Sequence, residues 1–292
     1  MDIGDLLDQI SDLRGRSYRL KGRYAAGENH GAYAVKDASG TLLVLKWMIR
    51  PDSVALARLE RARRVTERMR TTGVPVPCYT LIDTLPEGVT YWLQTTLPGQ
   101  PPARLSVEQI HQLLIWNERQ AGQALSAEQD WSWYVRAVVF AGKSGWKDSL
   151  RDYSAETRAV LSGLEQVTAG KEAGVPRTGD LVHGDLVPGN VLVAEGKVTG
   201  IVDWDAAGCG DRALDLSKLL FYSYEHTLIR SLLRQRIATM SGADALTVYL
   251  AYNILAQLDW AIRHHTRAAV EEWVVKTSFI LADIRRESPD VT

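Results

Sequence analysis

The chain has 292 residues, with 34 Lys and Arg against 35 Asp and Glu and 46% apolar residues, enough to bury a substantial core as one large domain or two small ones. A formal net charge of -1 gives no global field for gripping nucleic acid or an anionic membrane, and two cysteines, Cys78 and Cys209, are too few for a disulfide framework. Residues 1–13 are acidic and amphipathic rather than basic and then apolar, and no uncharged stretch approaches the ~20 residues of a membrane helix, so a soluble, cytoplasmic protein is expected.

The first third reads as strands. Runs at 18–26, 32–36 and 41–48 are separated by Gly27-Glu28-Asn29-His30-Gly31 and Asp37-Ala38-Ser39-Gly40, which predicts an antiparallel meander. Asp52 or Ser53 caps a helix running to about Thr72, stopped by Gly73, with Leu56, Leu59, Ala62, Val65 and Met69 as its buried face. Its arginines, Arg58, Arg61, Arg63, Arg64, Arg68 and Arg70, read as a solvated face. Strands follow at 78–83 and 89–95, and the cluster Leu97-Pro98-Gly99-Gln100-Pro101-Pro102 marks a domain junction. Beyond it the pattern is helical, at 107–124, 132–139, 155–168, 211–224, 227–240, 243–264 and 268–286. Residues 181–205 interrupt it with short strands around polar loops, and functional side chains concentrate there. The expected fold is α+β and bilobal, an N-terminal antiparallel sheet with one helix over 1–97 and a larger, mainly helical part over 98–292.

The segment His183-Gly184-Asp185-Leu186-Val187-Pro188-Gly189-Asn190 places an Asp and an Asn on one loop, and Ile201-Val202-Asp203-Trp204-Asp205 delivers another carboxylate off a strand. Phosphoryl transfer uses such a set: one carboxylate orients an attacking hydroxyl, while a carbonyl oxygen and a second carboxylate hold Mg²⁺ on nucleotide phosphates. The spacing from Asp185 to Asn190 matches the kinase loop H-R-D-L-x-x-x-N, and Asp203 takes the place of the Asp in D-F-G. Lys46 is the lone charge inside the third strand and is followed by a helix bearing Glu60 and Glu67; Glu60 is the favoured partner for it. Backbone N–H groups of the Gly27, Asn29 and Gly31 loop would cover the phosphates.

In these motifs, together with Gly210-Asp211-Arg212-Ala213-Leu214-Asp215-Leu216, Gly73-Val74-Pro75-Val76-Pro77 and Leu97-Pro98-Gly99, the chain resembles the aminoglycoside phosphotransferase family. That family is related to choline kinase and the macrolide kinases and shares the bilobal protein-kinase-like fold. The resemblance implies that Asp185 is the catalytic base, that Asn190 and Asp203 bind Mg²⁺, that Lys46 contacts ATP phosphates, and that backbone from Gln94 to Thr96 meets the adenine. It casts His183 and Asp215 as braces of the catalytic loop, and leaves Asp205 divided between the metal and the acceptor. Trp204-Asp205 in place of Phe-Gly, and no A-P-E segment, argue against a protein substrate and for a small hydroxylated one.

Asp205, Asp211, Glu225 and Asp259 are candidate anions for a cationic acceptor such as an aminoglycoside or basic peptide antibiotic, and Trp131, Trp133, Tyr134 and Trp146 form an aromatic stretch suited to stacking or to core packing. The expected activity is ATP- and Mg²⁺-dependent phosphorylation of a small-molecule hydroxyl, with an antibiotic as the favoured acceptor. Open alternatives are a metabolic kinase for choline, an amino alcohol or a sugar, and a nucleotide-binding pseudokinase. GTP in place of ATP, and the oligomeric state, are left open; neither nucleic acid nor membrane is an expected partner.

Overall fold

A computed structural model of the chain describes residues 2–24, 31–125 and 129–287, so Gly27 and Asn29 of the glycine loop lie outside the described residues. In chain order the first elements are α1 (Ile3–Arg14), β1 (Arg19–Arg23), β2 (Tyr33–Lys36), β3 (Leu42–Ile49), α2 (Ser53–Thr71), β4 (Tyr79–Thr84) and β5 (Val89–Thr95). Next come α3 (Val107–Glu118), α4 (Trp131–Val139), α5 (Trp146–Tyr153), α6 (Ala155–Thr168), β6 (Asp180–Val182), β7 (Val191–Ala194), β8 (Lys197–Ile201) and β9 (Gly208–Gly210). The helices α7 (Ala213–Tyr222), α8 (Thr227–Ser241), α9 (Ala243–His264) and α10 (Arg267–Glu287) complete the fold. The chain divides into two compact units, 1–103 with 189–206, and 104–188 with 207–292.

The first unit is built on an antiparallel sheet of order β1-β2-β3-β5-β4, so the expected meander is present and is extended by the β4–β5 hairpin. Side chains alternate across β3, and Leu43 and Leu45 turn into a core with Val35, Tyr91 and Leu93. Helix α1, read from sequence only as an acidic amphipathic stretch, seals that core with Leu6, Leu7 and Ile10. Each of these side chains contributes about 1.5–3 kcal/mol by leaving water. On α2 the Asp52 carboxylate accepts from Ala55 N, and the chain leaves the helix at Gly73, φ 79°. Leu59, Ala62, Val65 and Met69 are buried as the periodicity predicts, but Leu56, one turn from the N-terminus, is exposed. Arg61 corrects the picture of a uniformly solvated arginine face, because it is buried.

The β7–β8 hairpin belongs to this unit. Ile201 N donates to Pro75 O, and Val193 exchanges both backbone hydrogen bonds with Gln100. Gly99 makes that approach feasible: its φ is +100°, and a Cβ there would stand 2.6 Å from Val193 O and 2.8 Å from Thr199 Oγ1. Gly99→Ala is therefore expected to cost roughly 1–3 kcal/mol in a urea titration of the full chain; a loss below about 0.5 kcal/mol would show that the hairpin can yield.

In the second unit α9 is buried around most of its circumference, through Ala245, Val248, Tyr249, Ala251, Tyr252, Leu255 and Leu258, because α4, α5, α6, α7, α8 and α10 all pack on it. Strands β6 and β9 pair antiparallel beside these helices. Helix α3 opens with a capping box between Ser106 and Gln109 but ends at Glu118 rather than Ala124. The chain turns there, through Gly122 at φ 65°, which directs the Gln120 amide into the interior to donate to Leu181 O and Asp215 Oδ2. No helix among the described residues is long and apolar enough to cross a membrane.

Candidate active site

Because Leu43 and Leu45 face the α1 core, Lys46 projects from the opposite face of β3, in register with Trp92 of β5. Its Nζ lies 3.0 Å from Asp203 Oδ1. Burial, the largest single influence, pushes the ammonium's pKa down; attraction to Asp203 and Asp205 and the hydrogen bond to Asp203 outweigh it and leave the pKa raised. Lys46 is thus a fixed cation at neutral pH.

Asp203 follows the end of β8 and adopts φ 64°, a left-handed conformation that is costly for a residue with a Cβ. The strain is held by its surroundings. Val202 N donates to Asn190 O at 3.0 Å, and the next residue, Trp204, is buried with its Nε1 donating to Ile201 O at 3.0 Å. Asp205 lies in the short turn at 204–206 that packs on α2. Tyr79 feels its charge: burial pushes this phenol's pKa well up, and the nearby Asp205 and Asp203 carboxylates add to the effect.

Lys46, Asp203, Asp205, Tyr79 and Gln94 are therefore gathered in the first unit, with Asn190 tied to the same hairpin. The amide oxygen of Asn190 and the carboxylate of Asp203 are hard donors of the kind Mg²⁺ takes. Two protein ligands suit an ion that completes its octahedron with water and substrate phosphates. Of the nucleotide-contact candidates, Gln94 is buried near the end of β5, and Thr96 Oγ1 donates to Leu42 O at 3.2 Å. Gly31 lies against the Tyr33 ring.

The pairing expected for Lys46 is corrected. Glu60 accepts from Arg63 Nε at 2.9 Å and Nη2 at 2.5 Å, and Glu67 accepts from Arg63 Nη1 at 2.6 Å. Arg63 stands three residues after Glu60 and four before Glu67, so one guanidinium captures both carboxylates along the helix surface, and the partner of Lys46 is Asp203.

Asp185 lies in the second unit, beyond β6, where the loop is held from beneath by Asp215. Asp215 is fully buried. Its Oδ2 accepts from His183 N and Gln120 Nε2, both at 2.8 Å, and its Oδ1 accepts from Gly184 N at 2.9 Å. Burial pushes its pKa up against the pull of His183 and these donors, so the charged form depends on the donors staying in place. Gly184 turns the chain at φ 81°, and His183, also fully buried, accepts the Asp185 N–H on Nδ1 at 3.2 Å. That is the bracing role expected of it. The Asp185 side chain is 46% exposed, and Lys218 Nζ stands 3.4 Å from its Oδ1.

Three of the acids expected as acceptor anchors, Asp211, Glu225 and Asp259, lie in the second unit. Asp259 is buried and accepts from Arg263 Nε at 2.8 Å, and Asp211 is buried and accepts from Tyr249 Oη at 2.6 Å and Ala213 N at 2.9 Å. Glu225, exposed, acts electrostatically on Lys276.

A model of the phosphotransferase enzyme family matches residues 22–249. The chain belongs to this family. Comparison with curated proteins finds no match. Among solved structures, aminoglycoside phosphotransferase APH(4)-Ia is similar at 17% identity and TM-score 0.74, over 96% of this chain and 99% of that one. A thermostable mutant of the same protein, in a ternary complex with ADP and hygromycin B, is similar at 18% identity and TM-score 0.71, over 95% and 98% of the two chains. Macrolide 2'-phosphotransferase MphH from Brachybacterium faecium is similar at 19% identity and TM-score 0.61, over 94% and 97%. These likenesses establish the kinase-like α+β fold.

Three residues of this phosphotransferase escaped the motif reading. Lys218 carried one signal, a lone cation one turn after Asp215 in the apolar run Leu214 to Phe221. Tyr79 and Gln120 carried none, since a tyrosine in a strand and a glutamine past a helix are commonplace and their partners lie far away in sequence.

Proposed function

We propose that this phosphotransferase moves the γ-phosphoryl group of ATP, with Mg²⁺, to a hydroxyl group of a small molecule, and that the acceptor is an antibiotic. The observation that carries this reading is the ordered set Lys46, Asp185, Asn190 and Asp203 inside a chain of this family, with Asp185 exposed and braced and Lys46 held on Asp203. Asp185 orients the acceptor hydroxyl and takes its proton, while Asn190 and Asp203 would hold Mg²⁺, which would supply charge neutralisation on the nucleotide phosphates. Lys46 contacts the phosphates, and the backbone from Gln94 to Thr96 meets the adenine. ATP as donor is supported by the similar APH(4)-Ia structure holding ADP, and an antibiotic as acceptor by the hygromycin B bound there and by the macrolide phosphotransferase among the similar structures.

The test is a panel of hydroxylated antibiotics and metabolites incubated with the protein, ATP and Mg²⁺ and read by mass. Gain of one phosphoryl group on an antibiotic, abolished by EDTA, is expected. Transfer confined to choline, an amino alcohol or a simple sugar would replace the antibiotic reading with a metabolic one, and no transfer with slow ATP hydrolysis would remove both.

A further inference from the structure

The surroundings of Asp185 differ in character from the anionic cleft that a cationic acceptor requires. We infer that the acceptor bound beside Asp185 is a hydroxylated molecule with an uncharged ring face and at most one positive charge, and that polycations are disfavoured there. This deepens the proposed function, since it rests on Asp185 as the group that meets the acceptor.

Charge is the first ground. The carboxylate that faces the acceptor already has a cation against it, because Lys218 Nζ is 3.4 Å from Asp185 Oδ1 with its side chain only 14% exposed. Little net negative charge is left at that point to draw an ammonium group, and a second cation would have to approach Lys218 in a poorly screened setting. Two of the other acids of this unit that the sequence suggests, Asp259 and Asp211, are engaged. Arg263 holds Asp259 while also donating to Ser149 Oγ, and Tyr249 and Ala213 hold Asp211. Glu225 is exposed, and its charge only partly offsets the burial that, with Arg104, pushes the Lys276 ammonium's pKa down.

The second ground is what takes the place of the acids. Trp131, Tyr134 and Trp146 converge with Tyr252 of α9 into one cluster of rings, with centroids 5.5–6.4 Å apart and mostly edge to face. Burial above all, then Tyr134 and lastly the charge of Asp185, raise the pKa of the Tyr252 phenol. Trp131 and Tyr252 are buried, whereas Tyr134 and Trp146 keep part of their surface open, so the cluster is a core on one side and an aromatic surface on the other. A cation already stands at one edge of this surface, over the neighbouring Trp133. Lys143 Nζ lies 4.0 Å over the Trp133 ring and 6.0 Å from the Tyr134 centroid. The open faces of Tyr134 and Trp146 suit stacking against the apolar face of a sugar or another ring.

The experiment separates this inference from phosphoryl transfer itself. The full chain with Mg²⁺ and AMP-PNP is titrated calorimetrically with hygromycin B as the polycation, a macrolide bearing a single amino sugar, and a neutral aryl glucoside. The macrolide or the glucoside is expected to bind at least about tenfold more tightly than hygromycin B. Lys218→Glu is expected to shift that ratio by about tenfold or more towards hygromycin B. Because that substitution also touches Asp185, Trp146→Ala supplies an independent arm: about tenfold weaker binding of the low-charge probe, restored by Trp146→Phe, with AMP-PNP affinity unchanged. Equal or tighter binding of hygromycin B by the unaltered protein overturns the inference, as does failure of both low-charge probes to bind. Phosphoryl gain, read in parallel by mass, bears on the proposed function alone: the predicted order of binding without transfer to any compound sinks the function and leaves the inference standing.

Discussion

Asp185→Asn is expected to lower turnover by roughly two to four orders of magnitude while changing nucleotide affinity little. The side chain keeps its volume and its place on the loop, because what positions residue 185 is its backbone, held by His183 Nδ1 on the N–H and by the turn in which Val187 N donates to Asp185 O. The substitution removes the charge and the proton-accepting capacity and leaves the brace intact. A smaller effect accompanies it, because Lys218 loses its counter-ion in a largely buried setting, so a modest drop in thermal stability should appear with the loss of rate. Nucleotide affinity is the control, since Lys46 and Asp203, the proposed phosphate and metal contacts, lie in the other unit. Turnover within about threefold of the unaltered protein would mean that Asp185 does not serve the acceptor.

How far the sequence reaches depends on the range of the interaction that decides each feature. Strand β5 and helices α6 and α9 begin and end where the local pattern puts them, since cap, periodicity and breaker act within a few residues. The loop at 183–190 and the β7–β8 hairpin stood out for a different reason, because the chemistry proposed for them demands fixed residue types at fixed spacing. Where a feature is decided by a distant partner, the reading fails in an understandable way. Helix α3 stops early because Gln120 is drawn to Asp215, 95 residues on. Lys46 takes Asp203, 157 residues away, while the nearby Glu60 and Glu67 are taken by an arginine on their own helix. The acids offered as acceptor anchors illustrate the same limit, since a carboxylate on a helix gives no local sign that Arg263 or Tyr249 has already engaged it.

Asp215→Ala should have the largest effect on stability in the molecule's second unit, about 3–5 kcal/mol, because it removes an acceptor and leaves its donors behind. Three N–H groups converge on this fully buried carboxylate, two of them from the backbone of His183 and Gly184 and one from the Gln120 amide. Each would lose its acceptor where water has no easy entry, and a buried donor left unsatisfied costs about 1–3 kcal/mol. The two backbone donors cannot turn away without moving the loop, and the residue they precede is Asp185. Lost stability and lost turnover are therefore linked in this variant, whereas in Asp185→Asn they are largely separate. Asp215→Asn refines the test: it keeps one acceptor oxygen but sets an amide N–H against a backbone N–H, so it should fall between the unaltered protein and the alanine variant in both urea midpoint and rate. A denaturation midpoint for Asp215→Ala equal to that of the unaltered protein would show that the three donors find other acceptors and that the loop is held by something else.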